Sequence, residues 1–171
     1  MPSMPVMDLF RSLGRAAVPD LAKLLQGPAG LAAKIVAADA LGHIGDLQAV
    51  PALLHLYDHP SVEVRIAVME AMARLGDPRS LPAVLLCMTD TAWEVRAQAA
   101  AVAGRIGSPE TVPLLQQLME DDHWWVRYYA GEALVRIGNR GLEALRRTAT
   151  SEHPLAAEMA SGLLQEKGLA A

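Results

Sequence analysis

Gly14, Gly45, Gly76, Gly107 and Gly138 stand 31 residues apart, and a spacing held over four intervals leaves few architectures besides a stack of similar units. Other residues keep the same interval. The residue before each glycine is Leu13, Ile44, Leu75, Ile106 or Ile137, and Pro51, Pro82 and Pro113 recur in phase. Arg65, Arg96 and Arg127 form a further column, with Lys34 one period earlier, and Val64, Val95 and Val126 precede the arginines.

Each unit reads as two helices. Ser61 is an N-cap candidate, Val64, Val68, Ala71, Met72 and Leu75 follow at helical spacing, and Gly76 supplies a left-handed stop. After Asp77-Pro78 a second helix runs from about Ser80 to Thr89, with Pro82 in its first turn, where its missing N–H costs nothing. The packing face of this second helix is expected at Leu81, Val84, Cys87 and Met88. A single hairpin cannot bury its apolar face, so neighbours must stack. The expected fold is all-α, a right-handed α-solenoid of stacked antiparallel helix pairs with about eleven helices.

One domain is expected over 1–171: a short first pair at 4–30, full repeats at 31–61, 62–92, 93–123 and 124–154, and a terminal helix at 155–167. Hydrophobic residues make up 52% and aromatics only 4%, so Ala, Leu, Val, Ile and Met must form the interior, which suits close helix packing. Small residues such as Ala37, Ala71 and Ala133 let helices approach across the stack.

Glu63-Val64-Arg65, Arg74-Leu75-Gly76-Asp77-Pro78 and Leu81-Pro82 together resemble the short HEAT-like repeats named for phycobilisome bilin lyases. The resemblance implies a right-handed α-solenoid over almost the whole chain. Its functional implications are several, since bilin lyase subunits, an iron-dependent hydroxylase and scaffolds share the repeat. The hydroxylase branch ligates its irons through His-Glu dipeptides, whereas the histidines here are followed by Ile44, Leu56, Pro60, Trp124 and Pro154.

Catalytic constellations are not legible in the sequence. His55 and His59 have the i, i+4 spacing of a metal pair, but Pro60 ends the helix and no third ligand recurs. Cys87 lies in an apolar run, and Asp121-Asp122 sits at an inter-repeat turn, where it caps the next helix. The Lys34/Arg65/Arg96/Arg127 column reads as an exposed ladder toward Asp58, Asp90 and Asp121, and a second column, His43, Arg74, Arg105 and Arg136, as i, i+4 partners of Asp39, Glu70 and Glu132.

The expected function is therefore non-catalytic: a scaffold or adaptor for a protein or peptide, without a cofactor or a metal. One candidate surface is a concave groove of second-helix positions. Ala52, Ala83 and Ala144 would stand there beside His55, Leu86, Leu114, Gln117, Arg146 and Arg147. The other is an aromatic face at Trp125, Tyr128 and Tyr129, with Trp124 assigned to the core because it shares a row with Trp93 and Val62. The alternative is a bilin-lyase-like, chromophore-handling subunit, and a metal-dependent hydroxylase relative ranks below it. A net charge of −4 provides no basic field for nucleic acid or anionic membrane, and no signal peptide or membrane span is read, so a cytoplasmic location is expected. Exposed solenoid ends are expected to favour self-association.

Overall fold

The computed structural model describes the backbone of residues 6–169 and the side chains of residues 14–169. Among these the regular structure is helical, with ten α-helices and three single 3₁₀ turns. The 31-residue period maps directly onto them. First helices of the full repeats are α2 (Leu31–Ile44), α4 (Val62–Leu75), α6 (Trp93–Ile106) and α8 (Trp124–Ile137), each 14 residues long. Second helices are α3 (Val50–Leu54), α5 (Leu81–Cys87), α7 (Val112–Leu118) and α9 (Asn139–Ala149). The chain begins with α1 (Val6–Gln26) and ends with α10 (Pro154–Glu166).

Local chemistry explains the boundaries. Ser61 Oγ accepts a bond from the Val64 amide at the start of α4. Gly76 closes the same helix at φ 62°, its amide donating to Met72 O, in a left-handed conformation that a Cβ would oppose. Beyond the glycine, Asp46, Asp77 or Ser108 accepts the amide two residues on and starts the 3₁₀ turn that leads into the second helix. In the fourth repeat Asn139 stands at this position but is already the first residue of α9, and Gly138, at φ 85° and ψ −143°, joins α8 to α9 directly.

The helices group into two compact units, Met1–Ser80 and Leu81–Ala171. In the first, α1 packs on α2 and α3, and α2 lies beside α4. In the second, α6 lies beside α8 and α8 beside α10, while α5, α7 and α9 pack against them. The core is aliphatic in both: Leu25, Leu41, Leu53, Met69 and Met72 are fully buried in the first, and Met88, Leu115, Met119, Leu134 and Leu145 in the second. Glycine at the α2–α4 and α6–α8 crossings allows backbones to meet. A Cβ at Gly42 would stand 2.8 Å from Ala71 Cα, and one at Gly104 2.7 Å from Ala133 Cα.

Three expectations are corrected. The short first pair is one continuous helix with Pro19 inside it, which accounts for ten helices among the described residues in place of about eleven. Gly14 is followed by Arg15-Ala16-Ala17, helix formers without an Asp or Ser to start a turn, so the helix continues; Met4, at which that pair was to begin, lies outside the described residues. Ala52, Ala83 and Ala144, expected on the open side of the second helices, are buried, because these short helices press their small residues against the adjoining first helices. Trp124, expected in the core, is 50% exposed, since α10 leaves the N-terminal turn of α8 partly uncovered.

Candidate functional site

The basic column is an internal device and not an exposed ladder. The guanidinium of Arg65 donates to His59 O and Pro60 O, that of Arg96 to Asp90 O and Thr91 O, and that of Arg127 to Asp121 O and Asp122 O. Lys34 Nζ donates likewise to Leu25 O and Gly27 O. Each cation thus satisfies carbonyls that the preceding turn leaves without helix partners. Burial follows from that role: Lys34, Arg65 and Arg127 are no more than 9% exposed.

Arg96 has a further partner. Its Nε and Nη2 form a two-point fork with the carboxylate of Asp121, at 2.7 and 3.0 Å, while Asp121 also accepts the His123 amide at 2.9 Å. Burial pushes the Asp121 carboxyl up, but the Arg96 and His123 bonds outweigh it and hold the group below its ordinary value. A depressed folded-state pKa adds stability that is complete above the unfolded value of about 3.9 and fades as pH falls through the folded one. Asp121→Asn is therefore expected to destabilise by about 1.5–3 kcal/mol at neutral pH. In urea titrations from pH 7 downward, variant and wild type should converge in acid; a difference that does not change with pH would exclude this coupling.

The second basic column departs from its i, i+4 expectation. Arg74 reaches across to Asp39 of α2 at 3.0 Å, and Glu132 pairs with Lys167 at 2.9 Å beyond the end of α10. His43 keeps its i, i+4 contact with Asp39 at 3.5 Å. The Arg74–Asp39 and Glu132–Lys167 pairs tie neighbouring elements together. His59 Nδ1 accepts the Ser61 amide at 3.1 Å, so that ring nitrogen serves the turn, and His55 is exposed. Among the described residues, no group of three or more His, Cys, Asp or Glu side chains comes within metal-holding reach.

Aromatic side chains concentrate on the first turns of α8. Trp124 stacks on Tyr128 with ring centres 5.0 Å apart, and Trp125 meets Trp124 edge-on at 4.8 Å. Tyr129 continues the cluster, 6.1 Å from Trp125 and 5.7 Å from Tyr128. Trp124 and Trp125 are each 50% exposed, so large apolar rings are presented to solvent in a chain with few aromatics. Trp93, at the same register one repeat earlier, is covered by a stacked His123 at 5.1 Å.

Beside this cluster, between α8 and α10, lies a cavity of about 340 Å³. Trp124, Tyr128, Leu155 and Met159 form its apolar wall, and Arg127 lines it as well. Sequence reasoning missed this cavity. In the sequence the neighbouring columns change here, with Val135 following Gly42, Ala73 and Gly104 and Glu152 following Asp90 and Asp121, but neither residue lines the cavity. Of the groove residues in the second unit, Leu86, Gln117, Arg146 and Arg147 are exposed and Leu114 is half-buried.

Repeated helix hairpins, basic side chains that close each inter-repeat turn and close first-helix crossings define an α-solenoid repeat protein. A family model described as HEAT repeats matches residues 18–93 and 81–163, and the chain belongs to that family. Among solved structures it is similar to the complex of CpcE and CpcF of phycocyanin lyase from Nostoc sp. PCC7120. The identity is 23% and the TM-score 0.68, over 88% of this chain and 64% of the matched one. The chain thus spans less than two thirds of that lyase chain. It is also similar to an engineered protein, at 21% identity and a TM-score of 0.50, over 88% of this chain and 71% of that one. No curated protein matches the sequence. Among the described residues no helix is long and apolar enough to cross a membrane.

Proposed function

We propose that the chain is a non-catalytic scaffold that holds a protein or peptide partner against the aromatic face of α8. The observation that carries this reading is the ring cluster: the exposed Trp124 and Trp125 adjoin the half-buried Tyr128 and Tyr129. Burying such rings on a partner yields large apolar area at small entropic cost, which is why Trp and Tyr dominate binding hot spots. The exposed Leu86, Gln117, Arg146 and Arg147, with the half-buried Leu114, offer a second surface in the same unit. His55 is the exposed counterpart in the first unit. A Trp125→Ala/Tyr128→Ala double variant should retain its helical circular dichroism and lose a partner that the wild-type chain captures specifically. Equal capture by both chains would refute the assignment to this face.

A second reading, a chromophore-handling subunit, draws support from the likeness to the phycocyanin lyase complex and from the aromatic-walled cavity. At this identity the likeness extends to the fold alone. Bilin absorbance that co-migrates with the protein in gel filtration is the expected result of this reading, and bilin eluting separately would eliminate it.

A further inference from the structure

Arg127 is 6% exposed, and its Nε–H, buried from solvent, has no acceptor among the described residues. A buried guanidinium N–H without a partner is costly, because it gives up water for nothing. One period earlier the chain itself supplies what is missing: Arg96 Nε donates to the Asp121 carboxylate at 2.7 Å. The residue at the corresponding position for Arg127 is Glu152, which is exposed. Arg127 also lines the cavity between α8 and α10, and that cavity falls within the size range of small-molecule sites.

We propose that this cavity is a binding site for a single carboxylate carried on an apolar body, with Arg127 Nε–H, closed off from solvent until the ligand parts the side chains over it, as the donor. The pair reproduces the Arg96–Asp121 geometry with a carboxylate that arrives from outside the fold. Trp124, Tyr128, Leu155 and Met159 take the apolar body. Glu158 and Glu166 line the same cavity and repel any anion; both are exposed, so solvent screens that repulsion for one carboxylate held on Arg127, while a second negative charge would meet it without a cation of its own. This goes beyond the scaffold reading, because the carboxylate binds whether a free acid or a protein side chain delivers it.

The test uses 3-phenylpropionate, its neutral amide, and a blocked Phe-Asp-Leu tripeptide whose only carboxylate is aspartyl. The ¹⁵N-labelled arginine Nε–H resonances and tryptophan fluorescence are followed together. The acid or the tripeptide should move the Arg127 Nε–H resonance saturably, and the amide should bind about tenfold or more weakly. Tighter binding of the tripeptide identifies a protein side chain as the source, and tighter binding of the free acid a small molecule. Arg127→Lys should abolish the response, but Arg127 also closes a turn, so a second variant guards against misfolding. Gly162 lines the cavity, and a Cβ there meets no atom within 4 Å, so Gly162→Leu should fill the space and block binding with the helical signal intact. Three results would overturn the site: no saturable shift with either carboxylate, equal binding of acid and amide, or a response that emerges only in Glu152→Gln. The last would mean that Glu152 already occupies Arg127. Tyr128 lines the cavity but Trp125 does not, so Trp125→Ala alone, which should cost partner capture and leave carboxylate binding intact, lets the two proposals fail separately.

Discussion

A Gly141→Ala variant is expected to lose about 3 kcal/mol of stability or more, seen as a fall in melting temperature of about 6–12 °C. The added Cβ would stand 2.8 Å from the Leu134 carbonyl carbon and closer still to its oxygen. Both are backbone atoms, so no rotamer change makes room. The crowding arises because Gly138 alone connects α8 to α9, and the first turn of α9 must lie on the last turn of α8. Repeats with a 3₁₀ turn at this point have four more residues in which to separate the helices. Thermal melts of the variant and wild type, followed by circular dichroism, test this; equal midpoints would mean that the one-residue connection is looser than described.

Gly104→Val is the second large effect, expected at about 2–3 kcal/mol. Glycine inside a helix costs up to about 1 kcal/mol relative to alanine, so its presence in the last turn of α6, ahead of the stop at Gly107, requires a reason. The reason is the α6–α8 crossing, where an added Cβ would come 2.7 Å from Ala133 Cα and 2.9 Å from its Cβ. A valine must push the two helices apart and open voids along their contact. Gly162→Ala is the control: it is also a helical glycine, but its Cβ would meet open space, and it should gain about 0.5–1 kcal/mol. Urea denaturation of the three chains gives the ordering directly. If Gly104→Val matched the wild type, close backbone approach would not be what holds α6 to α8.

These glycines illustrate how far the sequence could be read. Gly76 and its periodic relatives Gly45 and Gly107 were legible because a helix stop is a local event, set by backbone conformation at one residue. Gly104 gives no local sign of its purpose, since what it accommodates lies 29 residues away in Ala133. The arginine column was legible as a column, and Asp121 does receive Arg96, but the backbone carbonyls that hold Arg65, Arg96 and Arg127 were missed. Carbonyls at the preceding turn are present in every sequence and carry no residue signature, whereas aspartates nearby in the chain do. Trp124 was misread for a related reason: its row is buried wherever the next helix covers it, and only the placement of α10 decides whether that happens.

What the sequence determined by itself is the period, the helical class, the glycine stops of the first helices and the gathering of Trp125, Tyr128 and Tyr129 in one stretch of chain. Caps, stops and 3.6-residue periodicity act over one or two turns, so they survive in a linear reading. Tertiary structure alone decided that the first pair is one helix, that Lys34, Arg65 and Arg127 point inward, and that a cavity holding an unsatisfied Arg127 Nε–H opens beside α10. Burial and hydrogen-bond satisfaction depend on how closely a neighbouring helix approaches, and that distance is set by residues a full repeat away.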